Sequence, residues 1–319
     1  MTKRFSLDEL VWFTIVSLGI VYSAMHLNFL EPYSRPQELL DFQLSLAAGS
    51  HPDNYDQQSR ILFPFLLKMV YLLFKRPYWT VFSAEALSAI FSLFGVFLLA
   101  KAVITDKKYA LLSVILFFIF APYALIIRGR FGELFIPGFY CLLLFFILKE
   151  KLVWYVFCLI IASFQRPDVA IGSVFVKIAH QMFIKKKYKP LIFDIFLFLI
   201  PFAVFYLIKE YFGIKTSHYI DNYIANITAW PMVNLRSTRY IILMYFPAIV
   251  LGVLLFRYFN QAMKLIFLAS LPYLALITVF GAYLESRLLL PIFAVLIIGI
   301  VSVLKEMKLL EFPDLKHFP

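Results

Sequence analysis

Four short clusters set carboxylates beside arginines in an otherwise oily chain. The run 41–60 begins with Asp41 and ends with Arg60. It is followed by Arg128-Gly129-Arg130-Phe131-Gly132-Glu133, Gln165-Arg166-Pro167-Asp168 and Glu285-Ser286-Arg287. A carboxylate can accept the proton of a hydroxyl. An arginine's planar fork can grip a phosphate at two points, and its charge is fixed. Together these residue types suit a site that activates a hydroxyl while holding a phosphate on which negative charge grows. Each cluster also has a plainer reading, because charges at an interface form ion pairs of little consequence. Two clusters stand out against it. Arg166 and Asp168 are wedged between two short apolar segments. Glu285 and Arg287, two residues apart, point to different helical faces and must find partners elsewhere.

The elements that position these clusters follow from composition. Of 319 residues, 62% are hydrophobic and 19% aromatic, and the mean hydropathy is +0.85. Long, nearly uncharged segments predict an all-α, polytopic transmembrane bundle. Alternation with period two is absent, which argues against a membrane β-barrel. Spans are expected near 9–30, 81–103, 109–127, 134–149, 152–164, 169–184, 190–212, 239–256, 264–282 and 288–304. The first lacks a small-residue cleavage site and reads as a retained span. The apolar stretch 61–74 contains Lys68 and is short of the ~20 residues a crossing needs. It is expected as an interfacial or re-entrant helix.

Ten crossings with the N-terminus inside place both termini and more than half of the 30 basic residues in the cytoplasm. The strongest run, Lys185-Lys186-Lys187-Tyr188-Lys189, is among them, as the positive-inside rule requires. All four clusters then face outward across a plasma (inner) membrane, together with outer loops of about 31–60 and 213–238. The second loop carries Tyr219, Tyr223, Trp230 and Arg236, aromatic rings suited to sugar faces. The whole chain, 1–319, reads as one integral-membrane domain. Its net charge of +11 fits basic loops facing anionic lipid rather than nucleic acid. Cys141 and Cys158 lie in apolar spans and read as packing residues. Glu85 is an intramembrane acid, read equally as functional or as structural. Lys177 and His180 read as snorkelling or packing residues, and Asp194 as a helix-terminus charge. No phosphate-binding loop, dinucleotide turn, GxSxG or HExxH occurs. No cofactor is therefore expected, and a divalent metal stays open.

Arg60-Ile61-Leu62-Phe63-Pro64 after an outer loop with a juxtamembrane acid, Glu133 after the third span, the turn at Arg166, and Glu285-Ser286-Arg287 with Pro291 together resemble the GT-C superfamily of membrane glycosyltransferases. The resemblance touches most of the chain through short motifs. It implies transfer of a sugar from a polyprenyl-phosphate donor to a hydroxyl on a glycan, lipid or protein, at the extracytoplasmic face. An acid of the first outer loop would then be the general base. Asp41 is the best position and Glu31 the next. The family's usual adjacent acidic pair is absent, Glu38 and Asp41 being three apart. Arg60, Arg166 and Arg287 suit the donor phosphate, with Arg128, Arg130, Glu133, Asp168 and Glu285 lining the site.

Three rival readings differ in what they require. A lipid-linked glycan polymerase or ligase shares the chemistry. A transporter would place its charges near mid-span, in two related halves. A membrane acyltransferase would carry a catalytic His, for which only His51, near Asp53 and Asp56, offers itself.

Overall fold

In a computed structural model, the described residues are 36–49, 61–125, 131–186, 191–213, 235–280 and 289–307, with 14, 18 and 19 as isolated positions. Every regular element among them is helical, and none is a strand. The fold is all-α. The first expected span lies almost wholly outside the described residues.

The helices are α1 (Pro36–Ala47), α2 (Leu62–Phe74), α3 (Pro77–Ile104), α4 (Lys107–Leu125), α5 (Phe135–Leu148), α6 (Leu152–Gln165), α7 (Pro167–Ala179), α8 (Leu191–Phe196), α9 (Leu199–Phe212), α10 (Leu235–Leu255), α11 (Gln261–Ala269), α12 (Leu271–Phe280) and α13 (Leu290–Glu306). A 3₁₀ turn, Phe131–Leu134, leads into α5, and a π-helical turn, His180–Ile184, extends α7. Each expected span beyond the first falls on one of these helices or on two in series. Prolines fix several starts. Pro77, Pro167 and Pro291 sit in the first turns of α3, α7 and α13, where a missing N–H costs nothing. α3 therefore begins four residues before the expected 81.

Among the described residues, two segments are long and apolar enough, by length and composition alone, to cross a membrane. They are Pro77–Ile104 (28 residues) and Ile192–Phe212 (21 residues), each with a hydropathy of 2.2. The outer faces of the helices are strongly apolar, with Met69, Leu73, Val153, Trp154, Leu207 and Tyr211 all exposed.

α3 and α5 run side by side through the core. Their closest approach is at Gly95 and Gly138, where a Cβ on Gly95 would come within 2.5 Å of the Gly138 carbonyl oxygen. Phe91 packs on Phe135 at 5.2 Å and on Phe139 at 4.6 Å. Small residues let two backbones meet, and the rings lock the register.

One end of the bundle is basic. Lys305 Nζ donates to the Ile104 carbonyl at 2.6 Å, and Lys185 pairs with Glu150. These contacts bring together the end of α3, the end of α13, the α5–α6 turn and the end of the π turn. The opposite level is set by Phe63, which packs on Phe135 at 6.4 Å and donates its N–H to Gln165 Oε1 at 3.3 Å. α5 and α6 each have 14 residues, so this level lies about 20 Å from the basic end. α3 continues past it for another 14 residues, from Phe91 back to Pro77. α2 runs beside that half and joins it through Lys75 and Arg76, with Lys75 in the left-handed region (φ 52). The stretch 61–74 is thus one arm of a helical hairpin that rises about 20 Å beyond the level of Arg166.

Candidate functional site

A proline makes the site. Pro167 excludes the helical conformation from the residue before it, and Arg166 is extended, at φ −156 and ψ 101. α6 therefore ends at Gln165 and α7 starts at Pro167, leaving Arg166 in the elbow between two helices. Asp168 follows in the first turn of α7, where a carboxylate suits the helix dipole.

The elbow brings the two side chains together. Arg166 Nε donates to Asp168 Oδ1 at 2.9 Å and Nη2 donates to Oδ2 at 2.5 Å. This is a bidentate pair, the strongest geometry available to these groups. The Arg166 side chain is only 10% exposed and that of Asp168 24%. The third guanidinium nitrogen, Nη1, is buried and has no hydrogen-bond partner among the described residues. A buried, charged, uncommitted donor is costly, and the ligand it would satisfy is an anion. Glu133, at the entrance to α5, lies within electrostatic reach of Arg166. Tyr273 of α12 lies within reach of both Arg166 and Asp168. Gln165 ties α2 to the same elbow.

Of the expected site residues, Arg166 and Asp168 therefore meet, with Glu133 within electrostatic reach of Arg166. Asp41 stands elsewhere in its surroundings. On α1 the buried face is Leu39, Leu40, Gln43, Leu46 and Ala47. Asp41 is on the exposed face, accepting from Gln37 Nε2 at 2.8 Å. Glu31, Arg60, Arg128, Arg130, Glu285 and Arg287 lie outside the described residues. So do His51, Asp53 and Asp56.

Two features escaped the sequence reading. Lys177 packs and does not snorkel, but its partner was not foreseen. It is buried and pairs with Asp194 of α8, while its ammonium lies 5.8 Å from the centre of the Tyr155 ring. A lysine in an apolar helix signals a partner, but nothing local singles out Asp194, 17 residues on in the next helix. Tyr273 was not marked at all. Its meaning comes from contact with Gly172, a hundred residues away, for which a single chain gives no signal. Glu85, expected as an intramembrane acid, is fully buried on α3. Among the described residues no group of three or more metal-ligating side chains occurs.

No family model, curated protein or solved structure matches the chain.

Proposed function

We propose that this chain is a polytopic membrane glycosyltransferase of the GT-C kind, which moves a sugar from a polyprenyl phosphate to a hydroxyl acceptor at the extracytoplasmic end of the bundle. The observation that carries the reading is Arg166. It is a buried guanidinium oriented by Asp168 through two donors, with a third donor left for an anion.

The position of the elbow supports this reading. With the basic end in the cytoplasm, as the positive-inside rule favours, Arg166 stands about 20 Å up a hydrocarbon core about 30 Å thick. It then lies roughly 10 Å inside the outer boundary, where only a protein-lined site tolerates exposed polar backbone. A phosphate on a membrane-anchored tail reaches that depth, and a freely soluble one has no reason to. The apolar flanks of the helices suit the surrounding lipid and the tail.

The chemistry follows. The acceptor oxygen attacks the sugar's anomeric carbon as a carboxylate on the outer side takes its proton. The bond from that carbon to the phosphate oxygen breaks, and its electron pair stays on the polyprenyl phosphate. Arg166 meets the growing charge, with Arg60 and Arg287 as the other arginines proposed for it. Asp41 and Glu31 are the acids that the resemblance offers as base. No cofactor is required by these steps.

Transport is the second reading, favoured by the Lys177–Asp194 pair inside the bundle. One experiment separates the two. Protein in proteoliposomes is supplied with radiolabelled polyprenyl-phosphate sugars and membrane acceptors. Label is expected on the acceptor, and Arg166→Ala should abolish its transfer. Label that crosses the bilayer still attached to its carrier, with none transferred, would establish transport instead.

A further inference from the structure

Arg166 can present its free donor in a fixed direction only if Asp168 is itself held. On a helix, the residue four positions later shares a face with the first. For Asp168 that residue is Gly172. The space that a side chain at 172 would occupy is taken by Tyr273. A Cβ on Gly172 would lie 2.8 Å from the Cβ of Tyr273, 3.1 Å from its Cγ and 3.2 Å from its Cδ2. Tyr273 thus lies against the backbone of α7 one turn below Asp168.

The ring is fixed from its other side as well. It stacks on Tyr140 of α5, with centroids 5.6 Å apart and 27° between planes. Tyr140 shares a 2.6 Å hydrogen bond with Ser270, the residue at which α11 gives way to α12. Both tyrosines are fully buried. Phenylalanine would fill the place equally well, and this chain uses it freely elsewhere. A phenol buried beside a charged pair has a polar purpose, because its hydroxyl costs free energy without a partner. Both charges of the clamp lie within electrostatic reach of that hydroxyl.

We propose that Tyr273 is a positioning residue of the site: its ring, seated between Gly172 and Tyr140, holds its hydroxyl where it acts on the Asp168 carboxylate, and so sets the direction in which Arg166 offers Nη1. The inference rests on the reading of Arg166 as the phosphate anchor. Tyr273 does not meet the phosphate. It acts through Asp168.

The test measures binding rather than turnover. Polyprenyl phosphate is titrated against the full-length protein in detergent, and binding is read from tryptophan fluorescence alongside the thermal midpoint. Tyr273→Phe should weaken binding about five- to tenfold, the effect of one polar interaction, with the midpoint almost unmoved. Gly172→Ala, which drives a Cβ into the ring, should weaken binding at least as much and lower the midpoint too. Tyr155→Phe removes an equally buried phenol, one bonded to Ser173 in the inner half, and should leave binding unchanged. Binding by Tyr273→Phe within twofold of wild type, where Arg166→Ala has lost it, overturns the role of Tyr273 and leaves the phosphate anchor standing. Wild-type protein that does not bind, or Arg166→Ala that binds as well, rejects the anchor and with it this inference.

Discussion

Arg166 commits two nitrogens to Asp168 and keeps one, and this division makes its type irreplaceable. A lysine offers a point charge on a flexible stem and cannot both grip a carboxylate with two parallel bonds and hold a third donor at a fixed angle. Arg166→Lys should therefore keep the net charge yet weaken polyprenyl-phosphate binding tenfold or more in a direct titration. The inner pair obeys a different logic. Lys177 and Asp194 are buried to 9% and 1% side-chain exposure. Removing one strands the other's charge, at a cost of about 3–5 kcal/mol, whereas replacing both with apolar groups of similar volume is often nearly neutral. In detergent, Lys177→Met should unfold at markedly lower temperature. Lys177→Met combined with Asp194→Leu should regain most of that loss, and a double variant as unstable as the single would show that the pair serves more than mutual neutralisation.

At the scale of elements, much of the architecture was legible and the pairings were not. Hydropathy located every described helix but α1, because a run of apolar residues is a local property. Pro167 announced the elbow, since a proline restricts both itself and the residue before it. The charges at 133 and 165–168 stood out in the sequence because charges are rare in such a chain. By contrast, 61–74 was too short to interpret alone. Its course depends on Gln165 and Phe135, residues far along the chain. Asp41 shows the same limit. Its residue type and place in the loop marked it, but only the packing of α1 reveals which side of that helix is buried. The meeting of α3 and α5 gives a sharp test. Gly95 and Gly138 appear in the sequence as two glycines 43 positions apart. In the bundle, a methyl group on Gly95 would strike backbone, which cannot rotate away as a side chain can. Gly95→Ala should destabilise by about 1–3 kcal/mol, as overpacking of a tight core does. Thermal unfolding of this variant against Gly213→Ala separates contact from conformation, because a Cβ on Gly213 would meet nothing within 4 Å but the residue lies at φ 61.

For the whole molecule, what the Arg166 elbow can meet depends on which end of the bundle faces the cytoplasm. The basic end collects Lys107, Lys108, Lys149, Lys151, Lys185 and Lys186, near the Lys305–Ile104 contact. Such residues are retained inside during insertion. The other end carries Gly49 against Phe212, together with the Arg166 elbow. One orientation makes the elbow extracytoplasmic and available to a lipid-borne donor there. The reverse would present it to cytoplasmic substrates and remove the polyprenyl-phosphate reading. The chain is well suited to deciding the matter, because its two native thiols, Cys141 and Cys158, are both buried in the bundle. Single cysteines can be placed at exposed positions of each end, as Ala48→Cys at one and as Thr105→Cys or Lys186→Cys at the other. In intact cells, a membrane-impermeant maleimide should label position 48 and spare positions 105 and 186. In inverted vesicles the pattern should reverse. Labelling of position 186 from outside would turn the bundle over and place the buried arginine on the cytoplasmic side.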